Sequence, residues 1–144
     1  MSSTGPTPGH LVWRLAMKWR TAVDRALDPL GLTHAQYVVL SSLVALDRPS
    51  QRELADHTGL EPLYVSKLAR ALEASGFIAR TRDTVDTRTV RLTLTPHGHS
   101  TVEPAIEVVR SLLDRLLKPL GGRSGDRTEA LSRELTALLD VPLD

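Results

Sequence analysis

Two charged residues with a specific spacing, Asp86 and Arg88, are the strongest candidates for chemistry in this chain. They open a segment of the form D-x-R-x5-L-T-x-x-G that ends at Gly98. A carboxylate so close to an arginine can orient the guanidinium through a charge-assisted hydrogen bond. An oriented guanidinium is well suited to phosphate oxygens, which it can bind through two parallel hydrogen bonds. The residues alone leave two interpretations open, an ordinary ion pair and an arginine that contacts an anionic partner.

The histidines are the remaining candidates for chemistry. His34, His97 and His99 could bind a metal ion, but the chain has no cysteine and no carboxylate cluster that would support such a site. Surface or hydrogen-bonded histidines are therefore the favoured interpretation. We find no nucleophile elbow, no phosphate-cradling glycine-rich loop and no metal-ligand spacing. The sequence predicts neither an enzyme nor a metal or cofactor site.

The composition is that of one ordinary globular domain. The chain has 144 residues, of which 41% are hydrophobic and 24% charged, and its formal net charge is +1. The absence of cysteine excludes disulfides and thiol redox sensing. No apolar run approaches the ~18 residues of a transmembrane helix. Residues 1–9 lack the features of a secretory signal and are interpreted as a disordered leader, so a cytoplasmic protein is expected.

Four helices are predicted before the D-x-R segment. A T-x-x-Q capping box at Thr33 and an S-x-x-E box at Ser50 open the second and the third helix. Pro62 opens the fourth, and Gly59 marks the turn between the third and the fourth. The predicted helices span residues 11–30, 33–46, 50–57 and 61–76. The last two have the form of a helix-turn-helix.

A β-hairpin is predicted directly after the fourth helix. Val90, Leu92 and Leu94 alternate with polar residues, which is the period of a half-exposed strand. Residues 77–84 and 89–95 supply the two strands, and the polar tip between them carries the D-x-R segment. A hairpin in this position is the wing of a winged helix-turn-helix.

Two amphipathic helices are predicted in the last third of the chain. The first has apolar residues at a heptad spacing, which is typical of a seam between helices: Val102, Ile106, Val109, Leu113, Leu116 and Leu120. Asp126 is expected to cap the second, whose apolar stripe is Leu131, Leu135, Leu138 and Leu139. An intramolecular core is the usual explanation for one amphipathic helix. Because the winged segment leaves few surfaces to cover both helices, we favour a dimer interface.

These elements together resemble the MarR family of bacterial transcription regulators, over about residues 10–140. The most specific parts are Thr58-Gly59-Leu60, the closing Leu72 and Gly76, and the D-x-R wing followed by L-T-x-x-G. The resemblance implies a mainly α fold with a small β-hairpin wing, in which a winged helix-turn-helix DNA-binding lobe joins a helical dimerisation region. It divides the chain into a disordered leader (1–9), an N-terminal dimerisation helix (10–32), the DNA-binding lobe (33–98) and C-terminal dimerisation helices (99–144).

The resemblance also implies a function. A protein of this kind is a homodimeric, sequence-specific transcriptional regulator, here expected to be a repressor, whose DNA affinity is modulated by a small molecule. Its partner would be double-stranded DNA with a pseudo-palindromic operator, read by two recognition helices on successive turns. The residues implied in DNA binding are Pro62, Leu63, Tyr64, Ser66, Lys67, Arg70, Arg82, Asp86 and Arg88, with Arg88 in the minor groove. Pro62-Leu63-Tyr64 departs from the small polar residues common at that position, which leaves the base preference open.

The residues alone leave simpler interpretations open. Lys67 and Arg70 could form a solvated helix face. Asp86 and Arg88 could be an ordinary ion pair at a hairpin tip, although such pairs add little stability. The alternative function is a winged-helix protein-interaction module without DNA binding.

The resemblance further implies a site for a small aromatic or amphipathic effector, between the dimerisation helices and the DNA-binding lobe. Trp13, Met17 and Tyr37 are the candidate lining residues. Aromatic residues at helical spacing are more often core residues than ligand contacts, and that alternative stays open here.

Overall fold

The computed structural model describes residues 4–144. Its regular elements are six α-helices and two antiparallel strands, with short 3₁₀ turns after the first and fifth helices. The helices are α1 Pro8–Leu27, α2 His34–Ala45, α3 Gln51–Thr58, α4 Pro62–Ala74, α5 Pro96–Leu117 and α6 Asp126–Leu139; the strands are β1 Ile78–Arg82 and β2 Val90–Leu94. The predicted fold class, mainly helical with a small hairpin, is confirmed.

Helix α1 begins and ends three residues earlier than its periodicity suggests. The Thr7 hydroxyl accepts a hydrogen bond from the His10 amide at 3.2 Å, and Pro8 occupies the first helical position, where its missing N–H costs nothing. Positions 8 and 9, predicted to be part of a disordered leader, are therefore helical, whereas positions 1–3 of that leader lie outside the described residues. At its other end α1 passes into a 3₁₀ turn, Asp28–Leu30, and Gly31 follows with a φ of 74°.

The helix caps predicted from sequence are present at α2 and α3. The Thr33 hydroxyl accepts from the Gln36 amide at 3.1 Å, and the Gln36 side chain accepts from the Thr33 amide at 2.9 Å. The Ser50 hydroxyl accepts from the Glu53 amide at 3.0 Å. These bonds fix where α2 and α3 start, because each satisfies an amide that the first helical turn leaves without a partner.

Helices α3 and α4 form the helix-turn-helix. The turn between them needs a left-handed residue, which Gly59 supplies with a φ of 75°. Helix α4 then starts at Pro62, and the Glu61 carboxylate caps it by accepting from the Tyr64 amide at 3.2 Å. The core beneath these helices is apolar and closely packed, and its fully buried residues include Leu40, Leu54, Val65, Leu72 and Leu92.

The wing is formed by β1, β2 and the tip between them. The strands pair antiparallel, with Ile78 opposite Leu94 and Arg82 opposite Val90. Leu92 is the buried residue of β2, and its amide donates to the Pro49 carbonyl at 2.9 Å. The base of the wing is therefore hydrogen-bonded to the segment that leads into α3.

The L-T-x-x-G part of the signature has a structural role. The Thr95 hydroxyl accepts from the Gly98 amide at 3.0 Å and donates to the Gly76 carbonyl at 2.6 Å, so it joins the start of α5 to the end of α4. A Cβ atom on Gly98 would collide with the Phe77 carbonyl oxygen. Glycine is therefore required for α5 to lie this close to the chain that enters β1.

Contacts divide the chain into two compact units, and the division falls within α5. The first unit ends at Glu107, and the second runs from Val108 to Asp144. The predicted boundary after residue 98 does not coincide with this division, because α5 continues without interruption from the wing into the last third. Within the second unit the cap of α6 is Gly125, and Asp126, expected to be the cap, is the first helical residue. Assignment of the outer helices to dimerisation stays a prediction.

Candidate nucleic-acid interface

Helix α4 has one buried face and one charged, exposed face. Val65, Ala69 and Leu72 are completely buried in the core. Lys67 and Arg70 lie on the opposite face and are exposed, and neither makes an ion pair with any residue that the structure describes. Two cations one turn apart on an exposed helix face can contact successive phosphates or base edges.

The first turn of α4 is apolar and exposed. Pro62 and Leu63 are both exposed, with Leu63 74% accessible, and Tyr64 is 43% accessible. Ser66, the fourth predicted contact on this turn, is only partly accessible. The end of the helix that would enter a groove first therefore presents apolar surface ahead of the two cations.

Arg88 lies at the tip of the wing with 92% of its side chain exposed. One Asp86 carboxylate oxygen accepts from the Arg88 backbone amide at 3.1 Å and lies 3.4 Å from its Nε. The other accepts from the Thr89 hydroxyl at 3.2 Å. Asp86 thus holds the tip turn chiefly through its backbone and Thr89, and it touches the guanidinium at one edge only.

Arg82, also predicted to contact DNA, is engaged within the wing. Its Nη1 donates to the Thr87 carbonyl at 2.8 Å, which ties the end of β1 to the tip. At the same turn the Asp83 carboxylate accepts from the Asp86 amide at 3.0 Å. This backbone hydrogen bond is the main cause of the lowered pKa of Asp83. The hydrogen bond thus favours the ionised form of the Asp83 carboxylate and joins it to the turn at the tip.

Arg91 is a residue that sequence reasoning missed. Its guanidinium donates to the Glu53 carboxylate at 2.8 Å, lies 3.5 Å from Asp83 and reaches the Arg48 carbonyl at 3.4 Å. The hydrogen bond to Arg91 lowers the pKa of Glu53 and raises that of the arginine, so both groups stay charged. Arg91 therefore links the wing to α3. In the sequence it is one of several polar residues on an alternating strand, and no local signal distinguishes it.

A cleft of about 770 Å³ lies between the end of α1, the start of α2 and the start of α4. Its lining combines apolar with charged and polar side chains: Arg20, Asp24, Asp28, Leu32, Thr33, His34, Ala35, Val38, Leu60 and Tyr64. Tyr64 belongs both to this cleft and to the first turn of the predicted recognition helix. The cleft therefore adjoins the surface assigned to DNA.

His34 is the titratable group that the cleft perturbs. Burial lowers its pKa, the carboxylate of Asp24 opposes this effect, and Arg20 adds to it. Asp24 also accepts from the His34 backbone amide at 2.7 Å. Burial thus favours the neutral imidazole, in a site that contains charged groups of both signs.

The three residues proposed from sequence to bind an effector do not line this cleft. Trp13 is 64% exposed on α1 and Met17 is 37% exposed on the same helix, while Tyr37 on α2 is partly buried. All three residues lie on helices, as their spacing predicts. Periodicity does not show which end of α1 borders a concave surface, and the α1 residues that line the cleft are Arg20 and Asp24. Whether they contact a ligand stays a prediction.

The histidines near α5 have an ordinary explanation. The His97 ring stacks on Phe77, with 4.9 Å between ring centroids. Within residues 4–144 no group of three or more potential ligands is arranged to hold a metal ion. Over the same residues, none of the helices is both long and apolar enough to span a bilayer.

Comparison with known proteins places these features in a family. A model of the MarR family matches residues 32–90. YdcH, an HTH-type transcriptional regulator of Bacillus subtilis, is 33% identical over 115 residues, covering 77% of this chain and 78% of the relative. The solved structure of the transcriptional repressor CouR, bound to a 23-mer DNA duplex, is 30% identical, with a TM-score of 0.82 and 92% of both chains covered. The MepR–DNA complex of S. aureus is 26% identical, with a TM-score of 0.84 and coverage of 94% of this chain and 98% of that one.

Proposed function

The chain belongs to the MarR family, and we propose that it is a homodimeric transcriptional repressor that binds operator DNA and responds to a small molecule. The observation that carries the proposal is the pairing of two exposed cationic elements in one compact unit. Lys67 and Arg70 lie on the free face of α4, and Arg88 lies at the tip of the wing. A solvated face would account for either element alone, but not for the two in a winged helix-turn-helix.

In the proposed complex each element has its own groove. Helix α4 enters the major groove, whose width admits one helix and whose base edges carry a distinct pattern for each pair. The wing follows the backbone, and Arg88 enters the minor groove, where the negative potential attracts a guanidinium. Lys67 and Arg70 contact phosphates and fix the register of the helix. CouR and MepR, both solved with DNA, support this mode of docking.

A two-fold dimer makes the recognition of an operator possible. Two copies of α4 would reach half-sites about 34–36 Å apart on one side of the duplex. The proposal is supported by the apolar side chains left accessible on the outer helices of one chain, among them Leu11, Leu15, Leu131 and Leu135. The protein would act in the cytoplasm, where chromosomal DNA is accessible to it.

The direct test is selection of duplexes from a randomised library by the wild-type protein, followed by hydroxyl-radical footprinting. We expect a selected sequence with two-fold symmetry and a footprint that repeats after one helical turn. If the protein retains the library but enriches no sequence, it binds DNA only non-specifically. A failure to retain any duplex at low salt would instead favour the protein-interaction module.

We propose the cleft beside Tyr64 as the site of the effector. A ligand shifts DNA affinity only if it binds one arrangement of the protein better than another. The cleft has apolar walls at Leu32 and Leu60 and charged groups at Arg20 and Asp24, which suits an amphipathic molecule. A ligand there would bear on Tyr64 and hence on the start of α4.

Screening aromatic and amphipathic acids and amines for release of a labelled operator tests this site. The variant Ala35→Trp, which fills the cleft, should keep DNA affinity and lose the response to any compound that releases the wild type. Circular dichroism and thermal unfolding check that the variant folds. A full response in folded Ala35→Trp would place the effector elsewhere, with Trp13 and Met17 as the next candidates.

A further inference from the structure

We propose that Leu63 reads the C5-methyl group of a thymine in the major groove, and that each operator half-site therefore has a thymine opposite this residue. The inference rests on the proposed DNA-binding function and extends it from a docking mode to a base preference. The first turn of α4 would then recognise a base through an apolar contact.

The exposure of Leu63 is the first observation behind this inference. Leu63 is the second residue of α4 and is 74% accessible, although the next residues facing the core, Val65 and Leu72, are completely buried. The residues that the structure describes cover only a small part of Leu63. An exposed leucine alone is common on protein surfaces, so its neighbours decide what it can do.

The backbone on either side of Leu63 offers few hydrogen-bond donors. Pro62 has no amide N–H, and the amide of Tyr64 is already donated to the Glu61 carboxylate. The cations of the helix, Lys67 and Arg70, come one and two turns later. The leading surface of α4 is thus apolar, and the charged surface follows it.

The major groove contains one apolar group that fits such a surface. Guanine, cytosine and adenine present only donors and acceptors at their major-groove edges, whereas thymine also presents its C5-methyl group. Leucine gains by covering that methyl and loses by covering an unpaired donor or acceptor. Because Lys67 and Arg70 on the same face favour phosphate, the partner that satisfies both halves of the helix is DNA rather than an apolar protein surface.

The experiment compares thymine with uracil, which differs only by the absent methyl group. Wild-type protein is titrated against the duplex it selects from a random library, and against copies in which each thymine in turn is replaced by deoxyuridine. Burial of one methyl group corresponds to about a fourfold change in affinity. We expect one position in each half-site to lose affinity by about that factor, and we expect Leu63→Ala to show no penalty there.

Matched variants identify the side chain responsible. Val85 is 92% exposed at the wing tip, but the minor groove does not present the thymine methyl, so Val85→Ala should keep the uracil penalty. A penalty that persists in Leu63→Ala and disappears in Tyr64→Ala would overturn the assignment to Leu63. Equal affinity for all uracil duplexes would overturn the methyl contact itself. Neither result affects the proposed function, which fails only if the wild type selects no duplex.

Discussion

Arg88 has a charge that the folded chain does little to neutralise. Its side chain is 92% exposed, and its ionic contact to Asp86 joins Nε and a single carboxylate oxygen at 3.4 Å. A pair so exposed contributes almost nothing to stability. The turn around it, by contrast, is fixed by backbone hydrogen bonds between Asp83, Asp86 and Thr89. A hydrogen-bonded turn that presents an exposed, weakly paired guanidinium is better explained by an external anion than by stability.

Arg88→Ala should weaken operator binding by about 1–3 kcal/mol, because it removes the contact in the minor groove. Asp86→Ala should weaken it less, because the arginine is retained on a looser turn. Fluorescence anisotropy with the selected duplex measures both. Arg25→Ala, which removes an exposed arginine from α1, is the matched control and should bind like wild type. Unchanged operator affinity in a folded Arg88→Ala variant would show that the wing is not part of the DNA interface.

His34 makes the stability of the protein depend on pH. Its pKa is lowered in the folded state, chiefly by burial, so the unfolded chain binds the proton more tightly. The resulting stabilisation is complete above the ordinary histidine pKa of about 6.5 and is lost as the pH falls below it. Urea unfolding at pH 7.5 and 5.5 should show a larger fall in unfolding free energy for wild type than for His34→Gln. Equal falls in the two proteins would contradict the lowered pKa.

At the scale of the elements, the wing and the helix-turn-helix are coupled by ion pairs between their side chains. Arg91 of β2 donates to Glu53 of α3 at 2.8 Å, and Arg80 of β1 lies 3.4 Å from Glu73 of α4. These pairs set the orientation of the hairpin beside the two helices. We therefore expect Arg91 to be a positioning residue, which affects DNA binding through the placement of the tip.

Arg91→Ala should loosen the wing without removing a DNA contact. We expect faster amide hydrogen exchange in β1 and β2, and weaker operator binding. We also expect Arg88→Ala to reduce operator affinity less in the Arg91→Ala background than in wild type, because a displaced tip no longer places Arg88 against the DNA. Arg91→Lys, which keeps the charge but not the fork, should restore affinity only in part. Strictly additive effects of the two alanine substitutions would contradict a positioning role.

Local signals in the sequence predicted the elements well. The boxes at Thr33 and Ser50 and the glycine turn at Gly59 operate within four residues, so they could be read directly. The alternation in β2 likewise predicted a half-exposed strand, although of its three apolar residues only Leu92 is fully buried. The link between Arg91 and Glu53 spans 38 positions, and the cleft unites three helices. Neither leaves a periodic pattern, which is why both were missed; the effector residues Trp13, Met17 and Tyr37 lie outside the cleft lining and stay a prediction.

The whole molecule leaves apolar surface accessible that one chain does not cover. Leu135 is 44% and Leu138 64% exposed on α6, and the predicted seam residues of α5 beyond Val102, such as Leu113, are only partly buried. Exposed apolar stripes on this scale mark an interaction surface. In a dimer they would be buried against the second copy.

The protein should therefore sediment as a dimer at micromolar concentration. Leu113→Glu should give monomers or aggregates, because the dimer would have to bury an unpaired charge. Ser111→Glu introduces the same charge on the exposed face of α5 and should leave the dimer intact. A wild-type monomer, or a dimeric Leu113→Glu, would refute the interface.

The most direct test of the central claim, that α4 binds DNA through its exposed cations, is the salt dependence of affinity for the selected duplex. The logarithm of the association constant should fall linearly with the logarithm of salt concentration, because phosphate contacts release counterions. Lys67→Ala should bind all duplexes more weakly and reduce the slope by about one, whereas Lys18→Ala on α1 should keep the wild-type slope. Binding that is insensitive to salt, or an identical slope in folded Lys67→Ala, would contradict the account.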